Sequence, residues 1–268
     1  NFKNPLKKYY NSVMLRSDLI IAGSNFIFEH VYLNYGDYFK DKKRKFLVIF
    51  RGINTDFYNP KKVDQNKLEK KMKEWKVDKE KFIILLPGRL TRWKGQEVFI
   101  DALNILNQQY NIKSFFAIIL GDDQGRKVYS KKLESLTERH RLNNNLIFVP
   151  KCEEMPIAYE MANVVVSASI EPEAFGRISV EAQSMQKAII ASNIGGSKET
   201  IINDKTGFLI EAGNSNALAE KLIEAMNMDH WTLQSIGIEG RKNVLKKFDI
   251  DRMCFSTFSE YKKLLEYH

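Results

Sequence analysis

The stretch Phe82-Ile-Ile-Leu-Leu86 runs directly into Pro87-Gly88-Arg89-Leu90-Thr91-Arg92-Trp93-Lys94-Gly95, and this junction orders the reading of the whole chain. A run that is apolar at every position suits a strand buried on both faces, and the Pro-Gly pair ends it. Comparable runs recur at Asp18-Leu-Ile-Ile-Ala22, Phe46-Leu-Val-Ile-Phe50, Phe115-Phe-Ala-Ile-Ile-Leu120, Leu146-Ile-Phe-Val149, Val164-Val-Val-Ser167, Ala188-Ile-Ile-Ala191 and Gly207-Phe-Leu-Ile210. Helical spacing fills the intervals. Strands buried on both faces need helices above and below, and strand–helix alternation yields parallel strands joined by crossovers. The predicted fold class is therefore α/β, a doubly wound, mostly parallel sheet.

Beyond about Asn216 no strand run occurs, and the apolar spacing to His268 predicts three helices, broken near Asp229 and Phe248-Asp249, on the outside of the sheet. A composition break falls near Asn59-Pro60, and the Lys-rich and Glu-rich residues 61–81 read as a solvated linker and helix. The expected domains are a remnant of a preceding domain over 1–54, the main domain over 55–250, and a C-terminal helix over 251–268 that packs back on the first segment. Asn1 opens the chain inside a helical pattern (Tyr9, Tyr10, Val13, Met14), which reads as the interior of a longer protein.

With 268 residues, 44% of them hydrophobic and 28% charged, the chain has material for one large core or two small ones, which excludes a disordered tail or a disulfide miniprotein. The formal charge of +9 points to an anionic partner without choosing among nucleic acid, phospholipid and nucleotide phosphate. Cys152 and Cys254 stand far apart with no neighbouring ligand at metal spacing, so neither a disulfide framework nor a zinc site is expected, and a reducing cytoplasmic setting is the default. No apolar run reaches the roughly 18 residues of a membrane-spanning helix. The expectation is a soluble or peripheral membrane protein.

Ligands of such sheets bind at the carboxyl ends of the strands, so the turns there carry the search. In the first turn two glycines let the backbone approach a ligand, while Arg89 and Lys94 bring two cations suited to a diphosphate; a basic surface loop is the bland alternative. The second turn reads Glu171-Pro172-Glu173-Ala174-Phe175-Gly176-Arg177-Ile178-Ser179-Val180-Glu181-Ala182, with a helix starting about Arg177 whose free N–H groups attract phosphate. Glu173 falls in the loop and Glu181 one turn into the helix, where each carboxylate can accept hydrogen bonds from sugar hydroxyls. The third turn, Ser192-Asn193-Ile194-Gly195-Gly196-Ser197-Lys198-Glu199, offers Ser197 as a helix N-cap. Two carboxylates beside a diphosphate cost about 4 kcal/mol per close like-charge pair at an effective dielectric near 20, so Arg89, Lys94 and Arg177 are needed as counter-charges.

Taken in order, Gly88-Arg89-Leu-x-x-x-Lys94-Gly95, the Glu173 and Glu181 pair, Gly195-Gly196 and Asp204-Lys-Thr-Gly207-Phe-Leu resemble the retaining glycosyltransferases of family four, the glycosyl transferases group 1 of GT-B architecture. Gly121-Asp-Asp-Gln-Gly-Arg126 and Cys152-Glu-Glu-Met-Pro-Ile-Ala-Tyr159 are most similar to the bacterial branch that builds lipopolysaccharide and other envelope glycans. The resemblance implies a hexosyltransferase that moves a sugar from a nucleotide-diphosphate sugar to a glycan or lipid-linked acceptor with retention, without a metal or other cofactor. It implies catalytic roles for Arg89 and Lys94 on the pyrophosphate and for Glu173 on the donor sugar. Glu181 would hold the ribose; Gly88, Ala174, Phe175, Gly176, Arg177 and Ile178 would line the donor site; Lys151 would lie near the nucleobase. In this family two Rossmann-like domains face each other. Residues 1–54 would then be the end of the N-terminal, acceptor-side domain, and 55–250 the donor-binding one. None of His30, His140, His230 and His268 falls in a motif.

Three other readings stand beside this one. The chain could be a donor-binding half that binds nucleotide sugar but is inactive without its N-terminal domain. A nucleic-acid binder is suggested by +9 and by Tyr9, Tyr10, Tyr38 and Phe39 near Lys40 to Lys45, but no recognition motif accompanies the charge and no nucleic-acid partner is expected. The segment Asp41-Lys-Lys-Arg-Lys45 fits a peripheral contact with anionic membrane better. A glycoside hydrolase also uses paired carboxylates, yet it has no need of the Arg-Lys loop and helix N-terminus beside them.

Overall fold

A computed structural model of the chain describes residues 5–39 and 45–266. The first segment supplies α1 (Pro5–Asn11), β1 (Leu19–Ala22), α2 (Asn25–Tyr35) and β2 (Lys45–Val48), and the two strands pair in parallel with Leu19 opposite Lys45. Residues 41–44 of the predicted basic contact lie outside the described residues; Lys45 starts β2. Next come α3 (Gln65–Glu74), β3 (Phe82–Pro87), α4 (Gln96–Gln108), β4 (Phe115–Leu120), α5 (Lys127–Arg139) and β5 (Leu146–Val149). They are followed by α6 (Met155–Met161), β6 (Val164–Ser167), α7 (Arg177–Ser184), β7 (Ala188–Ser192), α8 (Ser197–Thr200) and β8 (Phe208–Ile210). The helices α9 (Ser215–Asn227), α10 (His230–Lys247) and α11 (Ile250–Glu266) complete the described order.

All eight apolar runs form strands. Six make one parallel sheet in the order β5-β4-β3-β6-β7-β8. Successive side chains of a strand point to opposite faces, and the run without polar interruptions serves both: Ile84 and Leu86 enter the core on one side, Ile83 and Leu85 the core on the other. From β3 the chain winds outward through β4 and β5, then returns to lay β6 against β3 and winds outward the other way. The order reverses between β3 and β6, so the crossovers leave those two strand ends in opposite directions and open a crevice there.

The three C-terminal helices begin and end where the sequence breaks them. Asp229 caps α10, its carboxylate accepting from Thr232 N at 2.9 Å. The helix expected within residues 61–81 forms as α3, but it is not wholly solvated: Met72 and Val77 are buried, and Leu68 and Trp75 pack on the same core. Leu68, Met72 and Trp75 recur at helical spacing, so the Lys and Glu residues between them occupy only the outer face.

The first segment and the C-terminal helix meet. Ile53 N donates to Phe248 O at 2.9 Å, Ile250 N donates to Ile53 O at 3.0 Å, and Lys45 pairs with Glu260. Gly52 is required at this crossing, since a Cβ there would stand 2.5 Å from Ile250 Cα. Glu199 accepts from the N–H groups of Asn25 at 2.8 Å and Phe26 at 2.6 Å, a carboxylate at the positive end of α2. No helix among the described residues is long and apolar enough to cross a membrane.

Candidate active site

The loops leaving β3 and β6 meet at the crevice, and glycine makes their contact possible. Gly95 takes φ 71°, and a Cβ on it would lie 1.8 Å from Ala168 O. This approach brings Lys94 against the loop after β6. Its ammonium lies 2.8 Å from Glu173 Oε1, with the two side chains only 11% and 10% exposed. The Ser169 hydroxyl donates to the same oxygen at 2.5 Å, and the Trp93 ring centroid stands 4.5 Å from Lys94 Nζ.

Glu181 occupies a second, more enclosed position. Buried on α7, it accepts from Arg177 Nε at 2.6 Å and from the Tyr159 hydroxyl at 2.7 Å. The Glu181 charge holds the Arg177 guanidinium above its ordinary range. Burial, reinforced by the same carboxylate, pushes the Tyr159 phenol well above its ordinary value, and Tyr58 is raised for the same two reasons. The like-charge problem posed by two glutamates is thus solved locally: Lys94 answers Glu173 and Arg177 answers Glu181.

A cavity of about 540 Å³ opens beside these pairs. Its wall combines Glu173, Ala174, Phe175, Gly176 and Arg177 with residues 51–54, Phe57, Tyr58 and Ile250. Gly88 borders Lys94 and Ile178, a Cβ on it meeting either side chain at 3.6 Å. Gly176 caps α7 in the left-handed conformation, φ 79°, with no side chain closing the helix end. Arg89 is exposed and touches Gln124 Oε1 at 3.5 Å.

Some expected residues sit elsewhere. Lys151 pairs with Glu153 at 3.0 Å in the solvent and does not line the cavity. Ile178 packs its side chain into the core and does not line the cavity, whereas Phe175 does line it while its ring meets the edge of Phe248. Ser197 is not a cap: it is the first residue of α8, after Gly196. The reason is close packing, since a Cβ at Gly196 would lie 2.4 Å from Phe175 Cα and its N–H donates to Glu173 O at 2.8 Å. The glycine pair therefore supports the Glu173 loop. On the other side the Ser24 hydroxyl donates to Ala174 O at 2.5 Å.

Tyr159, Ser169, Tyr58, Ser24 and Glu199 escape sequence reading. Ser24 signals only a helix cap, and Tyr159 sits in an apolar helical run with nothing to mark its hydroxyl. Arg241 is likewise silent in the sequence; it donates to the Tyr58 carbonyl at 2.8 Å and also to Ser184 O, tying α10 to the cavity wall, and burial lowers its affinity for protons.

The fold and site define a class: a doubly wound α/β protein whose switch-point crevice carries paired cations and carboxylates. Residues 67–243 match the model of the glycosyl transferases group 1, and the chain belongs to that family. It is 30% identical over 228 residues to the capsular polysaccharide biosynthesis glycosyltransferase CapM of Staphylococcus aureus, covering 84% of this chain and 57% of CapM. A glycosyltransferase crystal structure from Rickettsia africae superposes with a TM-score of 0.90 at 34% identity, over 100% of this chain and 69% of that one. Anabaena HepE, in complex with UDP and glucose, shares the fold with a TM-score of 0.79 at 24% identity, over 96% and 66% of the two chains. The chain thus spans less than two thirds of the length of CapM.

Proposed function

We propose that this chain binds the donor for retaining transfer of a sugar from a nucleotide-diphosphate sugar to an envelope glycan or a lipid-linked acceptor. The observation that carries the reading is the juxtaposition at the β3/β6 switch point of Lys94 with Glu173 and of Arg177 with Glu181. In this scheme the bond between the anomeric carbon and the β-phosphate oxygen breaks, the acceptor hydroxyl oxygen bonds to that carbon on the same face, its proton passes to the departing diphosphate, and charge grows on that diphosphate as it leaves. Lys94 and Arg89 stabilise that charge, with the Gly88 backbone and the uncapped start of α7 beside them, so the scheme requires no resident metal. Glu173 accepts from donor-sugar hydroxyls while holding Lys94 in place. Glu181, fixed by Arg177 and Tyr159, accepts from the ribose hydroxyls. The family match over 67–243 supports residues 55–250 as the donor-binding domain and 1–54 as the end of an acceptor-side domain. A capsule-building relative and the +9 charge favour an envelope acceptor presented at the cytoplasmic face of the membrane.

The test is calorimetric titration with uridine, guanosine and adenosine diphosphates and their common sugar conjugates. Saturable binding of one base series, lost in Glu181→Ala, is expected. A binding isotherm unchanged by Glu181→Ala and by Arg89→Ala plus Lys94→Ala would sink the reading. Should the chain bind donor yet transfer nothing to any acceptor, it acts as a donor-binding half that needs its other domain.

A further inference from the structure

A second groove lies on the far side of the Arg89–Lys94 loop, outside the donor cavity. Thr91, Arg92 and Trp93 form one wall; Gly125, residues 126–129 and Lys132 form the other, around about 970 Å³. Four cations line it and no carboxylate does. Among the described residues only Lys132 of the four pairs with an acid, Glu97. Arg126 meets neutral acceptors, the Asp123 carbonyl at 3.3 Å and Gln124 Oε1 at 3.1 Å. The first turn of α5 enters the same groove without a side-chain cap, so its N–H groups add to the positive potential. Thr91, only 7% exposed and set in the wall, has a buried hydroxyl with no hydrogen-bond partner among the described residues.

The groove is not purely ionic. Trp93 and Val128 supply apolar surface, and Val128 is 88% exposed. Trp93 also joins the two sites, since its ring lies between this groove and Lys94, 4.5 Å from the ammonium. Gln124 makes a second link, touching Arg89 and Arg126. A concave surface that combines an indole with unpaired cations suits a sugar ring lying on the indole with its acid group on the cations.

We propose that the groove between residues 91–93 and 126–132 binds an acidic saccharide, a uronate-bearing or phosphorylated stretch of the glycan that the family's reaction extends. Arg92, Arg126 and Lys127 hold the acid group, and Trp93 carries the ring. The inference rests on membership of the family and not on the roles proposed for Glu173 and Glu181.

The experiment titrates the chain with a galacturonate hexamer, a neutral maltohexaose and inorganic phosphate. A nucleoside diphosphate is titrated in parallel. The hexamer is expected to saturate, with maltohexaose and phosphate at least tenfold weaker. Arg92→Gln with Lys127→Gln, and separately Arg126→Gln, should each weaken the hexamer at least tenfold while nucleoside diphosphate affinity stays within twofold. Lys70→Gln with Lys73→Gln on α3 should change nothing. Equal binding of maltohexaose, equal binding of phosphate, hexamer affinity unchanged in the groove variants, or an equal loss in the α3 variant would each overturn the proposal.

Discussion

Among the described residues, replacing Lys94 by Met removes the only cation paired with Glu173 and leaves a carboxylate that is nine-tenths buried with one remaining side-chain donor, Ser169. Breaking a buried pair from one side costs about 3–5 kcal/mol, because the surviving charge stays desolvated. The residual exposure of Glu173 places this pair near the lower end, about 3 kcal/mol. Glu173→Gln keeps an acceptor for both Lys94 and Ser169 but discards the charge, for a loss of about 1–2 kcal/mol. The double variant Lys94→Met/Glu173→Gln leaves no unpaired charge and should lose only about 1 kcal/mol, against roughly 4–5 kcal/mol if the single effects added. For a domain of this size the Lys94→Met loss lowers Tm by about 6–12 °C. Urea unfolding followed by circular dichroism, run on all four proteins, yields the coupling energy. A double variant whose loss equals the sum of the single losses within about 0.5 kcal/mol would refute the pairing. The same proteins report on the site: Glu173→Gln should tighten plain nucleoside diphosphate by relieving like charge beside Lys94, and abolish the extra affinity of the sugar conjugate.

Tyr159→Phe removes the phenol that donates to Glu181 at 2.7 Å and should cost about 2 kcal/mol in urea unfolding, with weaker nucleoside diphosphate binding by calorimetry. The phenols of Tyr58, Tyr129 and Tyr159 are all raised above their ordinary 10.0, chiefly by burial, so their contribution to stability is complete below pH 10 and declines as pH climbs beyond it. Absorbance titration of the phenolates should find Tyr58, Tyr129 and Tyr159 ionising only together with unfolding, and Phe variants of the three identify their share of the signal. Gly196→Ala drives a methyl group into the Phe175 backbone and should cost about 3 kcal/mol and displace the Glu173 loop, read as a lower Tm and a loss of nucleotide-sugar binding.

Much of this molecule was legible because one physical rule acts locally. Strands buried on both faces must be apolar throughout, so the run at Phe82 and its seven counterparts announced themselves, and the helix break read near Asp229 falls where that residue caps α10. The glutamates were found by their place after a strand, yet nothing local showed that Glu181 would be buried. Reading charge density alone misjudged residues 61–81, where three well-spaced apolar residues outweigh many lysines and glutamates. Ser197 failed as a cap because the constraint on its turn comes from Phe175, more than twenty residues away.

The sequence by itself determined the parallel α/β class, the positions of the strands and the three turns in which charge and glycine concentrate, since periodicity and backbone freedom are properties of neighbours along the chain. Tertiary structure alone decided which turns meet. The reversal of strand order between β3 and β6 brings Lys94 to Glu173 across 79 positions, burial supplies the Tyr159 hydroxyl to Glu181, and the docking of α2 sets Ser24 on the Ala174 carbonyl. Those contacts depend on sheet order and desolvation, quantities that exist only once distant segments have packed.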